Sequence, residues 1–236
     1  MRNGVAGFAG SPVTMSEDLR REYEMRFART ADYRRRVWSV LTNEFFVRWI
    51  PPEVTILDLG CGWGEFINQV PAARKYGMDL NPESKSKVAP EVILLAQDCS
   101  EHWPIDDAQL DVIFTSNFFE HLPSKESLRR TLGEAFRCLR SGGRIICLGP
   151  NVKCLPGRYW DFWDHHLALT ELSLKEGLEL AGFRIEWLRA RFLPFSMSQG
   201  FTPPIAMLRL FLRLPILWRI FGEQFLVVAA KPAPSS

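Results

Sequence analysis

Three glycines spaced Gly60-x-Gly62-x-Gly64 close a short β-branched and aliphatic run, Val54 to Leu59, and carboxylates recur at the ends of the apolar runs that follow. A buried parallel strand needs such a run, and a strand that stops in glycine can turn sharply and bring backbone N–H groups against a ligand. Asp58 lies within the strand, and Asp79 ends a second apolar segment, Lys75 to Met78. A carboxylate at that strand end can accept two hydroxyl hydrogen bonds at once, which is how a ribose diol is gripped. The third run, Val92 to Ala96, ends in Gln97-Asp98-Cys99, where a carboxylate can accept from an exocyclic adenine amine. A fourth, Val112 to Thr115, leads into Ser116-Asn117-Phe118-Phe119-Glu120-His121-Leu122, and a fifth, Ile145 to Leu148, follows Ser141-Gly142-Gly143. The glycine spacing lacks the wider third step of Gly-x-Gly-x-x-Gly, which disfavours a dinucleotide dehydrogenase.

A second concentration of chemistry runs Gly157-Arg158-Tyr159-Trp160-Asp161-Phe162-Trp163-Asp164-His165-His166. Aromatic faces pack on the C–H faces of sugar rings and carboxylates take hydroxyl protons, so Arg158, Tyr159, Trp160, Asp161 and Trp163 suit a polyhydroxylated acceptor. His165 or His166 is the preferred general base for a hydroxyl, with Asp161 or Asp164 orienting it, because imidazole titrates near neutral pH. His121 is a further candidate, although a histidine in such a turn more often bonds the backbone. The loop's rings and histidines have a structural alternative as anchors to the body of the domain. No metal site is expected, since adjacent histidines diverge in direction and the five cysteines form no Cys-x-x-Cys pair.

From about Val54 to Phe183, and more weakly from Glu223 to Lys231, the chain resembles the class I S-adenosylmethionine-dependent methyltransferases. The resemblance rests on Leu57-Asp58-Leu59-Gly60-Cys61-Gly62-Trp63-Gly64, Asp79, Asp98, the segment Asp111 to Leu122, and Leu139-Arg140-Ser141-Gly142-Gly143. It implies a doubly wound, mostly parallel seven-stranded sheet of Rossmann-like α/β type with S-adenosylmethionine as cofactor. Gly60, Gly62 and Gly64 would receive the methionine portion, Asp79 the ribose, and Asp98 with the Cys99 backbone the adenine. Asn117 and Phe118 would flank the sulfonium, and Asp58, Cys61 and Leu80 complete the set. The Trp-Asp-Phe-Trp-Asp-His-His loop is similar to that of a bacterial subgroup associated with surface-glycan and lipid-linked saccharide modification. Methyl transfer to a hydroxyl or carboxyl of such a glycan is the function this implies.

The elements that must position these residues are legible from pattern. Residues 1–15 read as a loose tail and 16–50 as a helical lid, with Ser16-Glu17-Asp18 opening one helix. Asp32 is expected to cap a second, in which Val37, Leu41, Phe45 and Trp49 recur every four residues until Pro51-Pro52. Tyr33 to Arg36 could place a cation near the methionine carboxylate. Residues 51–236 form the cofactor-binding domain, with helices expected at Glu65–Val70, Ser124–Arg140 and Thr170–Ala181 and the last two strands at Arg184–Phe192 and Gln224–Ala230. Between those strands, 193–222 is an apolar, basic insertion. Its stretch 201–222 holds Arg209, Arg213, Arg219 and Pro215 among aliphatic and aromatic residues, which suits an interfacial helix on anionic lipid. A homodimer surface and a cap on the domain's own core are the other uses open to it.

A formal net charge of +2 names no partner, but the middle of the chain is acidic and both ends are basic. An acidic middle suits a cationic cofactor and argues against nucleic acid. Unpaired cysteines and the lack of an apolar run long enough to span a bilayer point to a cytoplasmic chain, at most peripheral to the inner membrane face. Two other readings stay open: methylation of a small lipophilic hydroxyl compound, and a non-catalytic S-adenosylmethionine-binding regulator or partner subunit.

Overall fold

The computed structural model describes residues 30–195 and 202–233; the expected tail, the helix from Ser16 and the stretch 196–201 lie outside the described residues. Seven strands, β1 (Thr55–Leu59), β2 (Arg74–Met78), β3 (Val92–Leu95), β4 (Leu110–Ser116), β5 (Leu139–Pro150), β6 (Arg184–Arg189) and β7 (Gln224–Ala230), form one sheet in the order β3-β2-β1-β4-β5-β7-β6. β1 to β5 pair in parallel, and β7 runs antiparallel between β5 and β6. The chain leaves β1 toward β2 and β3 on one side and later adds β4 and β5 on the other. That reversal opens a crevice at the carboxyl ends of β1 and β4. Leu59 is in register with both Met78 and Thr115, so Gly60, Asp79 and Ser116 leave the sheet side by side.

Among the described residues three longer helices cover the sheet. α1 (Ala31–Val40) continues through a π-turn, Leu41–Phe45, into a 3-10 turn, Phe46–Arg48. A strict four-residue apolar spacing outruns the α-helix by about 40° per step. The wider π-turn absorbs that drift and buries both Phe45 and Phe46. Asp32 is not the cap: Thr30 holds that position, and Asp32 sits in the first turn facing Arg35. α2 (Lys125–Cys138) is capped by Ser124, whose Oγ accepts from the Ser127 N–H, and α3 (Glu171–Leu180) opens with a reciprocal box between Thr170 and Ser173. The helix expected at Glu65–Val70 is instead a run of turns, although Asn68 and Val70 each donate four residues back. Six residues before Pro71 are too few to offset nucleation. The Asn68 side chain bonds Lys87 O and Ala89 N across the loop. β6 stops at Arg189, and Phe192 turns into the core with its N–H on Gln224 O.

The insertion folds as two short helices, α4 (Ile205–Arg213) and α5 (Pro215–Phe221). Trp218 is buried with its Nε1 on Phe211 O, and Ile205, Leu208, Phe211 and Leu212 pack against the core on the α1 side of the sheet. Met207, Leu210, Leu214, Ile216, Ile220 and Phe221 face outward. One face of the insertion therefore caps the domain's own core. Among the described residues no helix is long and apolar enough to cross a membrane.

Candidate active site

Gly60, Gly62 and Gly64 adopt φ of +75°, +51° and +77°. L-residues rarely adopt that region, and a Cβ on Gly60 would stand 2.3 Å from the Phe118 ring. The loop is fastened by its neighbour strand: the Gly60 and Cys61 N–H groups donate to Met78 O, and Gly62 N–H donates to Asp79 Oδ2 at 2.6 Å. Asp79 Oδ1 accepts from Asn81 N–H at 2.8 Å. Burial raises the Asp79 pKa, with the Asn81 and Gly62 N–H groups opposing. A carboxylate offers about four lone-pair sites, so capacity remains for a diol.

The other expected cofactor residues separate into two layers. Leu80, half exposed beside Asp79, and Asp98, exposed after β3, lie on the crevice side, and Asp98 Oδ1 is engaged by Ser100 N–H. Asp58 and Cys61 are buried in the support of the loop. Burial and the neighbouring Asp79 and Glu65 raise Asp58, which receives the Ile67 N–H, and burial pushes the Cys61 thiol up as well. Cys99 is buried with its thiol against Thr131, leaving its backbone as the part able to serve a ligand. Asn117 has φ +49°, and its Oδ1 is buried with no hydrogen-bond partner. From α1, Arg34 reaches Glu65 at 2.9 Å and sets a cation beside the turn after Gly64. A cradle that only glycine permits, a carboxylate fixed above it and an orphaned acceptor at the end of β4 fit S-adenosylmethionine.

Beside the crevice lies a second cluster. Phe119–His121 forms one 3-10 turn in which Glu120 is 2% exposed, and its carbonyl accepts from both His166 N–H and Leu167 N–H. That pair of bonds stitches the loop after β5 to the end of β4. His121 Nδ1 lies 3.1 Å from both the carbonyl and the carboxylate of Asp164, and its Nε2 is 3.9 Å from Glu120 Oε1. The buried His165 ring stacks on Phe162 and meets His121 edge to face at 5.1 Å. Burial pushes Glu120 up to about 7 against the opposing His121 charge. His121 stands at about 9: burial lowers it, but the Asp164 hydrogen bond and the Glu120 charge outweigh that. The His121 charge also reaches Asp79, which makes the two clusters neighbours.

The structure divides the expected acceptor residues. Tyr159 is fully buried and its hydroxyl donates to Leu167 O, so it anchors the loop rather than lining a pocket. Arg158 is engaged by Glu223 at 2.5 Å and by Phe195 O at 3.3 Å, which ties the loop to the start of β7. Trp160 is 58% and Trp163 91% exposed, and Asp161 and His166 are exposed with them. Of the candidate bases, His165 is walled in by rings while His166 faces solvent. Glu120 was not among the expected site residues; its place beside His121 at the end of β4 was the only signal in the sequence.

Residues 57–147 match a family model described as a methyltransferase domain. A stretch of 116 residues is 30% identical to the sarcosine/dimethylglycine N-methyltransferase of Halorhodospira halochloris, covering 44% of this chain and 40% of that enzyme. The chain thus spans well under half the length of that curated relative. The protein bound to the Haloferax volcanii Trm112 methyltransferase activator superposes with a TM-score of 0.66 at 20% identity, over 92% of this chain and 99% of that one. An S-adenosylmethionine-dependent methyltransferase from Archaeoglobus fulgidus gives 0.64 at 22% identity, over 87% and 99%. At these identities the structural likeness establishes the fold, and that fold is the Rossmann-like one of S-adenosylmethionine-dependent methyltransferases.

Proposed function

We propose that this chain, whose residues 57–147 match a methyltransferase-domain model, is a class I methyltransferase that transfers a methyl group from S-adenosylmethionine to a hydroxyl or carboxyl oxygen of a glycan or lipid-linked saccharide. The observation that carries the donor half is the Asp79 carboxylate held over the left-handed glycine loop at the switch point of the sheet. The bound donor supplies a methyl on a sulfonium with a neutral leaving group, so holding the acceptor in line provides most of the rate. Gly60, Gly62 and Gly64 would seat the methionine end, Asp79 would take the ribose hydroxyls, Asp98 and the Cys99 backbone the adenine, and Asn117 with Phe118 would flank the sulfonium.

For the acceptor half, Trp160, Trp163 and Asp161 present exposed rings and a carboxylate beside the buried histidine cluster, as a sugar requires. His166 takes the proton of a hydroxyl acceptor. His166→Ala is expected to lower kcat by about 10²–10⁴-fold. Unchanged turnover removes it from that role. Transfer of labelled methyl to purified glycans and lipid-linked saccharides, set against lipophilic hydroxyl compounds, tests the substrate class. Label on neither class, by a protein that binds S-adenosylhomocysteine, leaves a non-catalytic binder.

The outward apolar face of α4 and α5 favours a lipid-borne acceptor reached from an anionic membrane surface at the cytoplasmic side. Flotation with anionic liposomes is expected, and Arg213→Glu with Arg219→Glu should abolish it. Failure of the wild type to float leaves that face to a second copy of the chain.

A further inference from the structure

We propose that Glu120, His121 and His165 bind one divalent first-row transition-metal ion whose remaining positions receive the oxygen of the methyl acceptor. Two imidazoles and a carboxylate suit zinc, manganese, iron or cobalt, whereas magnesium and calcium prefer all-oxygen sites. The ligand atoms lie within 4.8 Å of one another, and bonds of about 2.0–2.2 Å require side-chain rotation but no new fold.

Two further observations point at a cation here. Asp164 faces His121 Nδ1 with both its carbonyl and its carboxylate, which fixes a proton on Nδ1 and leaves Nε2 directed toward Glu120. A carboxylate behind a histidine is the usual support of a metal ligand. Opposite that nitrogen, Glu120 Oε1 is buried with no hydrogen-bond partner, and the 3.9 Å gap to Nε2 is too long for a hydrogen bond. A metal ion in that gap would take the Nε2 lone pair in place of a proton and satisfy the Glu120 oxygen as well. Three protein ligands leave positions open, and the exposed Trp160, Asp161 and Trp163 stand on the same loop as His165. The metal's role toward an acceptor rests on the proposed function; its binding does not.

The test uses the chain stripped with EDTA and titrated with Co²⁺ alone and Zn²⁺ alone, by calorimetry and visible absorption, with a separate titration by S-adenosylhomocysteine. One equivalent of Co²⁺ is expected. Glu120→Gln and His165→Asn should each weaken it by more than about 100-fold, and Asp164→Asn by about 10–100-fold. His102→Ala, which removes an exposed histidine elsewhere, should leave it unchanged. X-ray absorption on the wild type serves if the variants misfold: a cobalt shell with fewer than two imidazoles overturns the site. No stoichiometric uptake by protein that binds S-adenosylhomocysteine overturns the metal and spares the methyltransferase reading. Uptake lost in the ligand variants, without S-adenosylhomocysteine binding, upholds the metal and sinks that reading.

Discussion

Asp79→Ala is expected to weaken S-adenosylhomocysteine binding by about 10²–10⁴-fold in a calorimetric titration. Hydrogen bonds to a charged group are worth about 1.5–3 kcal/mol each, a ribose diol makes two, and about 1.4 kcal/mol is tenfold. The same carboxylate also receives the Gly62 and Asn81 N–H groups, so truncation frees the loop that seats the methionine end. Asp98→Ala is the graded comparison. Its carboxylate is exposed and would serve one amine, so a loss nearer tenfold is expected. Because burial already raises the Asp79 pKa, removing its charge is not expected to unfold the domain. Binding by a folded Asp79→Ala as tight as by the wild type would remove Asp79 from the ribose role, and no binding by the folded wild type would leave the glycine loop as a structural turn.

The strands were legible because β1 to β3 rest on local pattern, an apolar run that stops in glycine or a carboxylate. β7 and the helix after Thr170 follow the expected boundaries almost to the residue, since both ends carry turn or cap chemistry. What pattern could not reveal depended on contacts distant in the chain. Glu120 acquires its meaning only when His166 and Leu167 bond its carbonyl and bring His165 beside His121. Tyr159 reads like its neighbour Trp160, yet it is buried while Trp160 is exposed, because the 3-10 turn Arg158–Asp161 sends adjacent side chains in different directions. The pattern of the insertion suits one interfacial helix, a dimer surface or a cap on the core; the packing of Trp218 sets which face is inside.

Phe45→Ala is expected to cost about 3–5 kcal/mol, because a fully buried ring leaves a cavity that its neighbours cannot fill. For a chain of this size that corresponds to a fall in Tm of about 6–20 °C. The ring lies 4.6 Å from Phe192, 5.8 Å from Trp49 and from Trp218, and 6.4 Å from Trp187. It therefore joins the segment after α1, the end of β6 and α5 in one cluster. If the N-terminal segment and the insertion belong to the domain's core, the loss appears as a single cooperative shift of the whole melt. If they are separate appendages, an early partial transition splits off and the main one stays put. Leu210→Ala on the outward face of α4 is the control and should stay within about 0.5 kcal/mol of wild type. Trp218→Ala combined with Phe45→Ala should cost less than the two alone, since both empty the same space. A cooperative loss would mean that the apolar face shown to solvent by α4 and α5 is carried on a rigid body, so that whatever docks there is held in a fixed relation to the cofactor crevice.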